Sequence, residues 1–172
     1  MSPDLREAAG AELAGVASPL RASFLEALAA PDGTSRTRQA GHLTASAVVL
    51  DPAGSSVLLV LHRKVGLWLQ PGGHVDDTDP SLSAAALRET GEETGVPGLV
   101  VDAVPVDLDR HPAPCGARWH LDVRFLVRAP WLAAPVVSEE SLDVRWWPVD
   151  ALPEQRVDLG PLVRAGLQRL RA

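Results

Sequence analysis

Residues 73–96 read GHVDDTDPSLSAAALRETGEETGV, and the second half of this stretch carries three glutamates within five positions. Glu89, Glu92 and Glu93 stand at i, i+3 and i+4, so a helix would project their carboxylates from one face. Like charges placed this close repel one another unless a cation lies among them. Mg²⁺ and Mn²⁺ prefer oxygen ligands and keep water molecules that a substrate phosphate can replace. The stretch therefore predicts a divalent-cation site beside a phosphate.

The same stretch resembles the Nudix box, the signature G-x5-E-x7-R-E-U-x-E-E-x-G-U of the Nudix hydrolases, in which U is aliphatic. The lead-in at 68–73, WLQPGG, is also similar to this family's usual one. Three features depart from the signature: the first acid is Asp79, eight residues instead of seven separate it from Arg88, and Thr90 takes an aliphatic position. We expect a loop to absorb the insertion, because the metal-binding half keeps its spacing. The positions in register are Gly73, Arg88, Glu89, Glu92, Glu93, Gly95 and Val96.

The resemblance implies a hydrolase that uses Mg²⁺ or Mn²⁺. It implies that Glu92 and Glu93 are metal ligands, that Glu89 is a ligand or positions the water, and that the carbonyl of Gly73 completes a metal site. For Arg88 we expect a salt bridge that orients a carboxylate, and the alternative is a surface pair contributing about 0.2–0.5 kcal/mol. For the glutamates the alternative is a solvated helix face. Glu89, Glu93 and Arg88 are thus the predicted catalytic set within the box.

Residues outside the box complete the predicted site. Many Nudix enzymes take a further acid from a loop beyond the helix, and Glu139 and Glu140 are the candidates for this general base, with Asp143 behind them. A solvated loop acid is the alternative for each. Arg63 and Lys64 follow a predicted strand, where their charges suit substrate phosphates, although capping a strand edge fits them equally well.

Trp68 and His120 are the remaining candidates for substrate contact. The flat indole of Trp68 can stack on a nucleobase, but core packing is favoured for any single tryptophan of this chain. His111 and His120 flank a loop that contains Cys115, and neither has a second metal ligand at helix spacing. Cys115 is the chain's single cysteine, so no internal disulfide forms and a reducing cytoplasm is expected.

Composition limits the partners. The chain has 172 residues, 46% hydrophobic and 22% charged, which fits one ordinary globular domain. A formal charge of −6 argues against nucleic acid, whose phosphates are held by excess lysine and arginine. No stretch approaches the roughly 20 apolar residues of a membrane span. The expected partner is a nucleotide-like small molecule, with neither nucleic acid nor membrane.

The pattern of helices and strands predicts an N-terminal helical extension and linker over 1–40 and a Nudix hydrolase domain over 41–172. Two short helices are expected within 3–30, each beginning at a Ser-Pro pair, and their apolar stripe packs on the domain or on a second subunit of a homodimer. The box helix is expected to begin at Asp79-Pro80 and end at Gly95, with Gly91 serving close packing. Strands are expected at 42–50, 57–61, 99–106, 120–127 and 143–148, and a closing helix at 159–170. This order predicts an α/β fold, and the resemblance implies an α/β/α sandwich around a mixed sheet.

Several functions are compatible with these residues. The leading one is hydrolysis of a nucleoside diphosphate linked to another moiety, and the alternatives are a nucleoside triphosphate pyrophosphatase and a non-hydrolytic Nudix-fold regulator that binds nucleotides. Such regulators usually lack the box glutamates, which are intact here. An isomerase similar to isopentenyl-diphosphate isomerase would need a positioned thiol, and the surroundings of Cys115 do not match that family. The chain also has no tyrosine, the residue associated with diadenosine-polyphosphate hydrolases.

Overall fold

The computed structural model describes residues 1–131, 133–139 and 141–172. Its helices are α1 (Pro3–Ala14), α2 (Arg21–Ala29), α3 (Leu82–Thr94) and α4 (Gly160–Leu170). Its strands are β1 (His42–Leu50), β2 (Ser56–His62), β3 (Trp68–Leu69), β4 (Gly72–His74), β5 (Val100–Val101), β6 (Asp107–Pro112), β7 (Trp119–Arg128) and β8 (Ser141–Pro148). Within this described part, no helix is long and apolar enough to cross a membrane.

The strands form one mixed sheet centred on β1 and β7. These two strands run parallel, with His42 opposite His120 and Leu50 opposite Arg128. β1 is antiparallel to β2 and β4, β2 also pairs with β3 and β8, and β7 also pairs with β5 and β6. Every residue of β1 is buried, as expected for a strand covered on both faces. The predicted α/β class and mixed sheet are confirmed.

Side chains of β1 alternate between the two faces of the sheet, because successive residues of a strand point in opposite directions. Leu43 and Ala45 belong to a cluster that includes residues of α1, α2 and α3. Val48 and Leu50 pack with residues of α4 in a second cluster. The helices thus lie on opposite faces of the sheet, which is the α/β/α layering that the resemblance implies.

The N-terminal helices position the box helix. Buried residues of α1 and α2 share a cluster with Leu82 and Ala85 of α3, so their apolar stripe packs on the domain, and a homodimer stays a prediction. The carboxylate of Glu12 on α1 accepts hydrogen bonds from the backbone amides of Leu82 and Ser83, each at 3.0 Å. These amides begin α3 and lack partners within it. α1 therefore fixes the N-terminal end of α3, the helix that carries the glutamates.

The box helix begins later than predicted. Ser81 is its N-cap and accepts a hydrogen bond from the Ala84 amide at 3.0 Å. The carboxylate of Asp79 instead accepts hydrogen bonds from Arg88. The predicted end is confirmed, because Gly95 has φ of 63°, a conformation that favours glycine. The role expected for Gly91 is wrong, since a Cβ there would meet no atom within 4 Å.

Two other predicted boundaries are wrong. α2 begins at Arg21 rather than at the Ser18-Pro19 pair, and its N-cap residue makes no side-chain cap hydrogen bond. The strand expected at 99–106 is reduced to Val100–Val101. A separate strand, Asp107–Pro112, follows it and was not expected from its polar sequence DLDRHP. Pairing with β7 along its whole length gives this segment its extended form.

Candidate functional site

Arg88, in the middle of the box helix, is the centre of an ion-pair network. Its guanidinium donates to both oxygens of Asp79 at 3.0 and 2.9 Å, to Glu89 at 2.9 Å and to Glu92 at 3.1 Å. A further bond at 2.9 Å reaches the backbone carbonyl of His74. A planar guanidinium offers several donors in fixed directions, so these contacts set the carboxylate positions. The surrounding anions raise the pKa of Arg88, the hydrogen bond with Asp79 most of all.

The insertion in the box lies in the turn that contains Asp79. The Asp79 amide donates to the Asp76 carbonyl at 3.0 Å, and the Asp76 amide donates to the Asp79 carboxylate at 2.8 Å. Burial opposes ionisation of Asp79, but hydrogen bonds from Arg88 and the Asp76 amide hold its pKa below the ordinary value. The turn thus absorbs the extra residue and brings the shorter aspartate within reach of Arg88.

The third departure from the signature, Thr90, is compatible with a buried position. Thr90 is fully buried, and its hydroxyl donates to the backbone carbonyl of Ala86 at 2.6 Å. This bond satisfies the hydroxyl within the helix, so the side chain packs where an aliphatic one is usual.

Glu89 and Glu93 converge on the backbone of the Gly72–Gly73 strand. Glu93 is only 4% exposed, and its carboxylate accepts a hydrogen bond from the Gly72 amide at 2.9 Å. The carboxylate of Glu89 lies where a Cβ on Gly73 would stand, so a larger residue at position 73 would have to displace it. Glu92 is 60% exposed and is held at the outer side by Arg88. Carboxylate and carbonyl oxygens in this arrangement fit the ligand preference of Mg²⁺ and Mn²⁺.

The acids predicted beyond the helix lie in and after the loop before β8. Glu139 is exposed, and its backbone carbonyl accepts a hydrogen bond from Arg63 at 3.0 Å. Arg63 also donates to the Ser141 carbonyl at 3.2 Å, which links the end of β2 to this loop. Asp143 is ion-paired with Arg145 at 2.6 Å. Glu140 lies outside the described residues, and a general base among these acids stays a prediction.

The predicted substrate contacts differ in accessibility. Trp68 is 8% exposed and packs edge to face on Trp147, with ring centroids 5.3 Å apart, in the cluster that contains residues of α4. The core covers most of the Trp68 ring, as the core-packing alternative expects, and contact of Trp68 with a nucleobase stays an untested prediction. Lys64 is exposed and lies in the turn after β2, and its contact with substrate stays a prediction.

A buried polar network on β7 was not expected from the sequence. Asp122 accepts hydrogen bonds from the hydroxyl of Ser46 at 2.6 Å and from Arg124 at 3.0 Å. Arg124 also binds Asp107 and Asp109 of β6 at 3.2 and 2.8 Å. Burial opposes the charge of Arg124, but these three aspartates raise its pKa. The available signal was the alternation of polar and apolar residues along 120–125, which places the polar set on one face.

A second cluster joins the remaining predicted residue, His120, to His42, His74 and Cys115. Their potential ligand atoms all lie within 4.8 Å of one another. Burial lowers the pKa of His120 to about 4, and burial followed by the charge of Arg36 lowers that of His74 to about 3. A search for ligands at helix spacing from His120 could not find these partners, because they come from other strands and a loop.

Two features together define the class of this domain: an α/β/α fold, and a helix that presents glutamates to a Gly-Gly strand. The family described as NUDIX domain matches residues 41–165. The chain therefore belongs to the Nudix family.

The curated relatives match a short part of the chain. It is 52% identical over 46 residues to the uncharacterized Nudix hydrolase NudL of Cronobacter sakazakii, and 48% identical over 46 residues to NudL of Escherichia coli O1:K1. Each match spans 27% of this chain and only 24% of the relative's length.

Solved structures resemble nearly the whole domain. An Ap4A hydrolase of C. elegans superposes with a TM-score of 0.64 at 22% identity, covering 75% of this chain and 97% of that one. The NUDIX domain of Shewanella oneidensis NrtR, complexed with ADP ribose, superposes with a TM-score of 0.58 at 25% identity, covering 79% and 92%. These likenesses support the fold.

Proposed function

We propose that this chain is a Mg²⁺-dependent hydrolase of the diphosphate bond in a nucleoside diphosphate linked to another moiety. The observation that carries the proposal is the convergence of Glu89 and Glu93 on the Gly72–Gly73 backbone, with Arg88 fixing the neighbouring acids. The membership of the Nudix family supports the reaction class.

The residues of the site have distinct roles in this proposal. Glu93, Glu92 and Glu89, with the carbonyl of Gly73, hold the cation, and Mn²⁺ fits the same oxygen ligands. When bound, the cation withdraws charge from phosphate oxygens and lowers the pKa of a bound water. The Gly72 amide restrains the carboxylate of Glu93, and ligands that are restrained in advance lose less entropy when they bind.

The proposed substrate is a nucleotide-like small molecule. The NrtR domain is described in complex with ADP ribose, a nucleoside diphosphate linked to a sugar, which makes this compound the first to test. The exposed side chain of Lys64, in the turn after β2, offers a positive charge for substrate phosphates. A reducing cytoplasm is the proposed location.

A nucleotide panel tests the proposal. The full chain is incubated with ADP-ribose, dinucleoside polyphosphates or nucleoside triphosphates, with Mg²⁺, with Mn²⁺ or with excess EDTA, and products are separated by chromatography. We expect nucleoside monophosphates from a substrate with two linked moieties, and no turnover in EDTA. Preferred release of pyrophosphate from triphosphates would favour the triphosphate pyrophosphatase. Tight binding of a nucleotide without turnover would favour the non-hydrolytic regulator, and undiminished hydrolysis in EDTA would contradict the metal requirement.

A further inference from the structure

Four potential metal ligands meet at one side of the sheet, outside the carboxylate site. His42 begins β1, His74 ends β4, His120 lies in β7, and Cys115 lies in the loop between β6 and β7. The three imidazole rings are mutually adjacent, with centroids 5.0 to 5.2 Å apart. The Cys115 sulfur lies 3.3 Å from Nε2 of His120 and 3.9 Å from Nε2 of His42.

These distances suit a tetrahedral ion. With Zn–N of about 2.0–2.1 Å and Zn–S of about 2.3 Å, tetrahedral geometry separates neighbouring donor atoms by about 3.3–3.6 Å. The two sulfur–nitrogen distances lie at and slightly above this range, and all four donor atoms fall within 4.8 Å of one another. Small side-chain rotations are therefore enough to bring the four atoms around one cation.

The protein around the cluster leaves ligand atoms available. Nε2 of His74 is buried and has no hydrogen-bond partner among the described residues. His42 is fully buried and His120 is 8% exposed. Burying imidazole nitrogens without partners costs free energy, and a metal ion bound to their lone pairs removes that cost. Cys115 is exposed, so an ion reaches the cluster from solvent.

We propose that His42, His74, His120 and Cys115 form a closed structural site for Zn²⁺, separate from the carboxylate site. Nitrogen and thiolate ligands prefer zinc, whereas carboxylates and carbonyls prefer Mg²⁺ or Mn²⁺. Four protein ligands fill a tetrahedral shell and leave no position for substrate, which is typical of structural rather than catalytic zinc. Binding releases the thiol proton of Cys115 and leaves the imidazoles neutral.

The position of the ligands gives this site a structural consequence. The ion would join β1, β4, β7 and the loop that carries Cys115. His74 also follows Gly73, the residue beneath the Glu89 carboxylate, and its carbonyl accepts from Arg88. Zinc bound at the cluster would therefore restrain the backbone that supports the carboxylate site, and would raise the melting temperature.

Cobalt spectroscopy on the metal-stripped full chain tests the proposal. Co²⁺ is spectroscopically visible, and thiolate ligation gives a charge-transfer band in the near ultraviolet, with intense visible bands for tetrahedral geometry. We expect both sets of bands to saturate at one equivalent and to vanish when Zn²⁺ displaces the cobalt. Cys115→Ser should remove the charge-transfer band, and His120→Asn should remove the tetrahedral bands.

Two matched variants separate this site from its neighbours. His111→Asn changes a histidine that packs edge to face on His120, at 5.4 Å between centroids, and pairs with Asp109. It is not among the four proposed ligands, so the bands should persist. Glu92→Gln alters the carboxylate site and should also leave them intact. Independently of any variant, one equivalent of Zn²⁺ should protect Cys115 of the wild-type chain from alkylation by iodoacetamide.

The proposal is overturned if the wild-type chain shows no charge-transfer band, if Cys115→Ser retains it, or if Glu92→Gln or His111→Asn abolishes it. Equal alkylation of Cys115 with and without Zn²⁺ would overturn it as well. Melting temperatures of all variants without metal show whether each one folds. If a variant does not fold, its spectrum is set aside and the alkylation of the wild-type chain decides.

Discussion

The carboxylate site and the imidazole–thiolate cluster are adjacent in the chain at Gly73 and His74, yet their ligand chemistries differ. The carboxylate site offers oxygen atoms from one helix and a glycine strand, with Arg88 compensating part of the negative charge. The cluster uses nitrogen and sulfur from three strands and a loop. The first suits a hard, exchangeable cation that also contacts phosphate, and the second suits a permanently held zinc ion.

This difference shows that adjacent residues of one fold can present donor atoms of different chemical type, which favour different ions. It also gives a practical criterion. Changes in the carboxylate site should reduce turnover, whereas changes in the cluster should reduce stability and thiolate-dependent spectra. Glu93→Gln is therefore measured in both ways.

The largest effect is expected from Glu93→Gln. This change keeps the shape of a buried side chain but removes the charge that would hold the cation, so kcat should fall by roughly 10²-fold or more. Steady-state hydrolysis at saturating Mg²⁺ measures it, and the cobalt–thiolate band should be unchanged. Glu26→Gln, on the exposed face of α2, is the matched control and should retain full turnover. Near-wild-type kcat in Glu93→Gln would show that Glu93 is not a required ligand.

The second effect concerns Arg88→Met. This change leaves Asp79, which is only 6% exposed, without its main partner, and should lower the free energy of unfolding by about 2 kcal/mol. Urea denaturation measures the change. Arg128→Met is the matched control, because Arg128 is 42% exposed and lies 3.7 Å from Asp102, and its effect should stay within about 0.5 kcal/mol. Equal losses of unfolding free energy in Arg88→Met and Arg128→Met would contradict the central position of Arg88 in the ion-pair network.

The effect of Arg88→Met should also depend on pH. The pKa of Asp79 in the folded chain lies below its ordinary value of 3.8. A carboxylate with a depressed pKa stabilises the fold above its unfolded pKa and loses that contribution as the pH falls through the folded value. The difference in melting temperature between wild type and variant should therefore be constant above about pH 5 and shrink on further acidification. A difference that grows on acidification would contradict this assignment.

The smallest effects come from a pair of glycine substitutions. Gly73→Ala places a methyl group where the Glu89 carboxylate lies, and displacement of that carboxylate should lower kcat on the order of 10-fold. Gly91→Ala meets no atom within 4 Å and should stabilise the helix by roughly 0.5–1 kcal/mol without loss of turnover. Unchanged turnover in Gly73→Ala would show that the position of the Glu89 carboxylate is not required for the reaction.

The local part of this structure could be predicted from the sequence. The box helix, its end at Gly95, the hairpin of β1 and β2 and the closing helix depend on short-range periodicity and turn residues. The start of α3 was misplaced because Asp79-Pro80 resembles a helix start, whereas Ser81 makes the cap hydrogen bond and Asp79 binds Arg88.

The long-range part could not be predicted. β4 reads Gly-Gly-His and β6 reads DLDRHP, so neither has the composition of a strand, and both owe their form to pairing with β1 and β7. The cluster of His42, His74, His120 and Cys115 depends on the parallel register of β1 and β7. No spacing within the sequence reveals that register, so this site could be found only after the chain was folded.

Hydrolysis in ¹⁸O-labelled water tests the central claim most directly. The wild-type chain is incubated with Mg²⁺ and ADP-ribose, or with whichever nucleoside diphosphate derivative the panel identifies, and the products are analysed by mass spectrometry. Attack of water on phosphorus predicts one ¹⁸O atom in a phosphate-containing product, with a nucleoside monophosphate released and no reaction in EDTA. Label in a non-phosphate product, product formation without incorporation of label, or robust cleavage of simple phosphomonoesters would contradict the account.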